Sequence, residues 1–203
     1  MDTEETGRRE QNRRRTHQAL VRAAAELFRE QGYEATTVRD IAAAAGVGER
    51  TFFRYFRSKE SLILQQVREL IPVLTERILG RPAAEPPLVA LREAVLELAA
   101  TDHTAPAVLL VGPQPFVPEP TTKGDRFLLF DLEEAVAGAF LTRAGHTDPG
   151  LDERLWAASL GRAGVAALRS VRLVFTRLTP EQQAVTDVPV LVRTAFAALG
   201  CPV

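Results

Sequence analysis

The feature that most constrains this chain is Gly46-Val47-Gly48, a corner between two short helical segments within the stretch Thr36 to Leu62. The first segment opens on a candidate capping box, Thr37 with Asp40 three residues on, followed by Ile41, Ala42 and Ala45 at helical spacing. Gly46 stops that segment and turns the chain, because glycine enters positive φ without a steric penalty. Val47 is expected to plug the corner, and the second segment carries Arg50, Thr51, Arg54 and Tyr55 among aromatic residues. This is the pattern of a helix-turn-helix, whose sharp turn presents one helix to the DNA major groove.

A formal charge of -1 over 203 residues conceals a local asymmetry. Six arginines (8, 9, 13, 14, 15 and 22) lie between Arg8 and Arg22 against the single acid Glu10, just ahead of the helix-turn-helix. Such an arm suits phosphate contact; a solvated terminus is the other reading. Hydrophobic residues make up 46% of the chain, enough for a proper core. Cys201 is the only cysteine, which excludes an intrachain disulfide and a cysteine-rich zinc site. No apolar run reaches the roughly 20 residues that span a bilayer, and the charged N-terminus lacks a signal peptide's apolar core, so a cytoplasmic protein with no membrane partner is expected.

Apolar residues recur at helical spacing throughout, and alternating strand patterns are absent, so the fold class is all-α with about nine helices. Residues 1–12 are expected to be a flexible basic arm, residues 13–58 the helix-turn-helix domain, and residues 59–203 a second helical domain. Leu20, Ala24, Leu27 and Phe28 stripe the first helix, which packs across the back of the helix-turn-helix and buries Phe28. Ser58 is a candidate N-cap for a fourth helix from Lys59, which Pro72 ends or bends. Gly80-Arg81-Pro82 and Pro86-Pro87 break the chain before a helix over 88–100. Five prolines between Thr101 and Gly124 allow a short helix near 107–111 and a long loop. Further helices are expected over 125–144 and 152–178, the latter rich in small residues that let helix axes approach. A single last helix follows Thr179-Pro180-Glu181 and runs through Pro189.

The residues Gly32-Tyr33, Thr36-Thr37-Val38, Asp40-Ile41-Ala42, Ala45-Gly46-Val47, Thr51-Phe52, Tyr55-Phe56 and Ser58-Lys59-Glu60-Ser61-Leu62 resemble the TetR family of bacterial transcriptional regulators. The resemblance covers about a quarter of the chain. It implies a small DNA-binding head and a larger domain that senses a small-molecule effector, with the last two helices forming a homodimeric four-helix bundle. Thr37 and Lys59 then correspond to phosphate clamps. Two positions depart from the pattern: Phe53 stands where the family usually has a phosphate-binding tyrosine, and Gly48 where serine or threonine is usual. Tyr55 is a candidate to supply the missing phosphate contact. The run Gly48-Glu49-Arg50-Thr51-Phe52-Phe53-Arg54-Tyr55-Phe56 is similar to a subgroup whose C-terminal domain accepts acyl-CoA-like molecules.

Within the second segment, Arg50 is placed to offer a fork to guanine O6 and N7 or to a phosphate, and Arg54 reaches backbone or base. Glu49 complements the helix dipole or accepts from cytosine N4. Thr51 joins this candidate DNA-binding set, and Arg14 and Arg15, with Arg13, add salt-dependent affinity or enter the minor groove. In the second domain, His103, Phe116, Arg126, Phe127, Trp156 and Arg162 are the candidates to line an effector pocket between the central helices, each with a structural reading beside it. His17, His103 and His146 have no metal-ligand spacing and no Gly-x-Ser-x-Gly elbow is present, so neither an enzyme nor a metal site nor a cofactor is expected. The expected function is a homodimeric repressor that leaves a roughly palindromic DNA operator when an effector binds. The alternatives are a second domain that only dimerises or binds a protein, and an activator.

Overall fold

The computed structural model describes residues 2–33, 35–101 and 128–202, and among them there are nine helices and no strand. They are α1 Asp2–Gln31, α2 Val38–Ala44, α3 Glu49–Tyr55, α4 Lys59–Gly80, α5 Pro87–Thr101, α6 Leu128–Arg143, α7 Leu151–Phe175, α8 Pro180–Val185 and α9 Val188–Ala197. The first helix begins at Asp2, well ahead of the expected start at residue 13. Local bonds support its polar third and fourth turns, among them Arg14 to Glu10 at 3.3 Å and the Thr16 hydroxyl to the Asn12 carbonyl at 3.0 Å. A helix can therefore continue into a segment with no apolar face to bury.

Two cores divide the molecule. The smaller gathers Leu20, Ala23 and Ala24 of α1, Ile41 and Ala42 of α2, Phe52 of α3, Phe56 and Leu62. Phe28 lies at its margin, half-buried, with its ring centre 5.2 Å from that of Tyr33. The larger core joins α4, α5, α6, α7 and α9 through Leu74, Ile78, Leu91, Val136, Phe140, Leu168 and Phe196. Pro72 lies inside α4, and the helix runs through it to Gly80.

Close packing of α7 depends on its small residues. A Cβ added to Gly161 would stand 3.0 Å from the Glu133 carbonyl oxygen and 3.3 Å from the Ala137 nitrogen, both backbone atoms of α6. One added to Gly164 would collide with Leu91 Cδ2 of α5. The sequence reading of small residues as close-approach positions is what the helices use.

The last expected helix is two. Thr179 caps α8 with a capping box to Gln182, but that helix stops at Val185, and Asp187 caps α9 with Pro189 in its first turn. A proline deep in one continuous helix would clash with the carbonyl four residues back; in a first turn it costs nothing. The turn between α4 and α5 is fixed by charge. Arg81 Nε and Nη2 donate to Glu85 Oε2 and Oε1 at 2.9 and 2.6 Å, and Arg81 also pairs with Glu97. Those bonds hold the Glu85 carboxyl below its ordinary range and raise the Arg81 guanidinium.

Candidate nucleic-acid interface

Local chemistry sets both ends of α2. The Thr37 hydroxyl accepts from the Asp40 N–H at 3.2 Å, while the Thr37 N–H and hydroxyl donate to Asp40 Oδ2 at 2.9 and 2.6 Å. The hydroxyl of Thr37, followed by its N–H, holds the Asp40 carboxyl below its ordinary value. At the other end Gly46 adopts φ 71°, the Gly46 N–H reaches the Ala43 carbonyl at 3.0 Å, and the Val47 N–H reaches the Ala42 carbonyl at 2.9 Å. This paired closure of the last turn lets the chain reverse within three residues. Gly48 then caps α3 through backbone alone, its carbonyl accepting from Thr51 N–H at 2.8 Å.

Burial of Phe52, fully inside the head, fixes how α3 is rotated about its axis. Glu49, Arg50, Phe53 and Arg54 consequently all face outward, with Thr51 and Tyr55 half-buried at the margins. Phe53 is 54% exposed. The guanidinium of Arg54 lies 5.3 Å from the centre of the Tyr55 ring, which in turn faces His17 of α1 at 6.4 Å between ring centres; His17 also meets Phe56 at 5.0 Å.

Beside this face an open groove of about 980 Å³ separates α1 from the end of α3 and the start of α4. Arg13, Arg14, Arg22, Arg54, Arg57 and Arg68 line it against only Glu10 and Glu69, so its field is positive. A smaller hollow reaching Arg9 and Asn12 extends the same surface along α1.

The expected DNA contacts therefore separate. Arg50 and Arg54 share the outward face of α3, and Arg14, Arg54 and Tyr55 share the groove. Arg15 is exposed but turned away from the residues that line it. The two residues matched to phosphate clamps are engaged within the head: Thr37 by Asp40, and Lys59 by the carbonyls of Tyr33 and Thr36, to which its Nζ donates at 2.9 and 3.2 Å. Sequence reasoning missed Arg57 and Arg68, which reach the groove only through the turn into α4, and His17, whose stacking partners lie in α3 and at its end.

The effector candidates fare differently. His103, Phe116, Arg126 and Phe127 lie outside the described residues. Trp156 is 39% exposed and lines a shallow hollow of about 320 Å³ with Ala144, His146, Asp152 and Glu153, rather than a pocket between central helices. Arg162 is also at the surface, bridging α7 to α6 through Glu133 at 3.4 Å and Glu134 at 3.5 Å. Among the described residues two charges enter the second domain, Arg92 of α5 at 6% exposed and, deeper, Arg172 of α7 at 3%. Burial, and secondly the charge of Arg169, pushes Arg172 down to about 10.

Residues 20–65 match the family model described as bacterial regulatory proteins, tetR family. The head of the chain is therefore similar to the DNA-binding part of TetR-family regulators. Among curated relatives, the HTH-type transcriptional regulator TcmR of Streptomyces glaucescens is 46% identical over 85 residues, 42% of this chain and 38% of TcmR. The HTH-type transcriptional repressor KstR2 of Rhodococcus jostii is 49% identical over 49 residues, 24% of each chain. The chain thus spans well under half the length of these relatives. Similarity to a solved TetR-family structure runs further. Thermus thermophilus FadR, a repressor solved in complex with lauroyl-CoA, superposes with a TM-score of 0.56 at 25% identity over 92% of this chain and 95% of that one. The FadR of Bacillus halodurans, at TM-score 0.56 and 19% identity, shares the fold over 90% of this chain and 93% of its own.

Among the described residues, no helix is long and apolar enough to cross a membrane and no group of three or more acidic, histidine or cysteine side chains could hold a metal ion.

Proposed function

We propose that this protein is a homodimeric transcriptional regulator that represses by binding an operator in double-stranded DNA and leaves it when a small-molecule effector binds the second domain. The observation that carries the reading is the outward face of α3, with Arg50 and Arg54 beside the arginine-lined groove. Arg50 reads a base edge in the major groove, while the groove arginines, rather than Thr37 and Lys59, take phosphates. The repressor names of KstR2 and FadR support the sign of the effect.

The paired protomers meet through α7 and α9. Leu155 (64% exposed), Val174 and Val190 leave an apolar surface on these helices that a second copy would cover. For the effector, the buried cation Arg172 suits an anionic group, and the lauroyl-CoA bound by the Thermus FadR supports an acyl-bearing molecule of that charge. Binding would favour a dimer whose heads no longer match the groove spacing.

Selection of bound DNA from a random pool tests the reading. Two inverted half-sites with centres about 34–36 Å apart, or a multiple of that, are expected, with affinity that falls steeply with salt. Screening metabolites for release of the selected complex follows. A monomer without salt-sensitive, sequence-selective binding overturns the proposal.

A further inference from the structure

The outward face of α3 contains one residue whose chemistry neither charge nor hydrogen bonding explains. Phe53 shows more than half its surface, with Arg50 one turn before it and Arg54 directly after it. Its neighbour Phe52 fills the head's core and meets it only edge-on, the ring centres 5.5 Å apart at 83°. A large ring left in water is unfavourable by the apolar area it exposes. The surrounding arginines nevertheless make this surface attractive to an anionic partner. The occupant must therefore be polyanionic and carry something apolar at its recognition edge.

Duplex DNA meets both conditions at one place, the C5-methyl group of thymine in the major groove. We propose that Phe53 is a specificity-determining residue that reads a thymine in each half-site through this methyl group. The inference rests on the proposed docking of α3 in the major groove. Phe53 follows Arg50 by three residues, roughly 4.5 Å along a helix axis, and stacked base pairs are roughly 3.4 Å apart. The thymine accordingly falls within about two base pairs of the one that Arg50 contacts. A phenyl ring has no donor or acceptor, so it cannot substitute for a tyrosine at a phosphate.

The test uses the full-length protein and the operator selected from a random pool. Each thymine is replaced in turn by uracil, which removes only the methyl group. The expected result is one position per half-site where uracil weakens wild-type binding about fourfold, the worth of one buried methyl-sized group. In Phe53→Ala the penalty at that position disappears, and in Phe53→Leu it remains. Placing 5-methylcytosine at that position binds wild type more tightly than cytosine does.

Uracil tolerated at every thymine by the wild type overturns the inference while leaving the regulator reading intact. So does a penalty that persists in Phe53→Ala, or a Phe53→Ala variant that changes only the oligomeric state. Melting curves establish that the variants fold; if Phe53→Ala does not, the wild-type uracil and 5-methylcytosine series decide. Absence of any selective binding by wild type is the separate result that defeats the regulator reading and this inference with it.

Discussion

The Nζ of Lys59 lies 3.9 Å from the centre of the Tyr33 ring and donates to the carbonyl oxygen of the same residue at 2.9 Å. A further bond of 3.2 Å to the Thr36 carbonyl ties the first residue of α4 to the connection between α1 and α2. Lys59 is therefore a brace of the head. Lys59→Met should destabilise the head by about 1–3 kcal/mol, the usual cost of removing charge-assisted bonds. Urea denaturation measures this. Unchanged stability together with a uniform loss of DNA affinity and a smaller salt slope would instead return Lys59 to a phosphate.

Acid should loosen the head through Asp40. Its carboxyl is held below its ordinary value by Thr37, so its contribution is complete above the unfolded carboxylate value of about 4 and is lost as pH falls through the lower folded one. Glu85, held down by Arg81, and Glu181, held down first by the Thr179 side chain, add losses of the same sign. Melting temperatures measured from about pH 6 downward should therefore fall less steeply for Asp40→Asn than for the parent. Parallel curves would show that the box contributes nothing.

Gly161→Ala should cost about 1–2 kcal/mol despite the better helix propensity of alanine, because the new methyl group would press on α6 backbone atoms that cannot rotate aside. At Gly164 the obstructing atom is the tip of the Leu91 side chain, so repacking can absorb more of the strain. Calorimetry of the two variants should show the larger loss at Gly161. The reverse order would mean that α6 and α7 separate more readily than Leu91 turns.

Val174→Asp combined with Val190→Asp should produce monomers, since both valines are more than half exposed on the two helices assigned to the dimer. Sedimentation velocity reads the change directly. Operator binding should weaken by at least about a hundredfold as the two half-sites lose their linkage. A variant that stays dimeric places the interface elsewhere.

Arg172→Met should leave operator binding within about twofold of the parent and abolish release by an anionic acyl effector, because Arg172 is the deeply buried cation assigned to it. Fluorescence anisotropy with labelled operator, titrated with acyl-CoA compounds, gives both quantities. Release that is unchanged removes Arg172 from the effector site.

Much of the architecture was written locally. Thr37 with Asp40, Ser58 with Ser61, and Thr179 with Gln182 form caps within four residues, as does the positive-φ closure at Gly46, so helix ends are decided before distant contacts exist. The stripe on α5, with Leu91, Val95 and Leu98, likewise identified its buried face. The corner at Gly46 and the outward arginines of α3 were enough to point to DNA.

What the sequence by itself determined was where helices start and stop and which faces seek a core. The tertiary structure alone decided which long polar side chains met partners far along the chain. Lys59 turned inward because carbonyls more than twenty positions away met its ammonium group, and Arg57 and Arg68 joined Arg14 and Arg22 because α4 lies beside α1. Trp156 and Arg162 stayed outside, while Arg172, on the same helix, went in. Periodicity identifies a face, but only the packing of separate helices sets what that face meets, and for a charged side chain that meeting decides its chemistry.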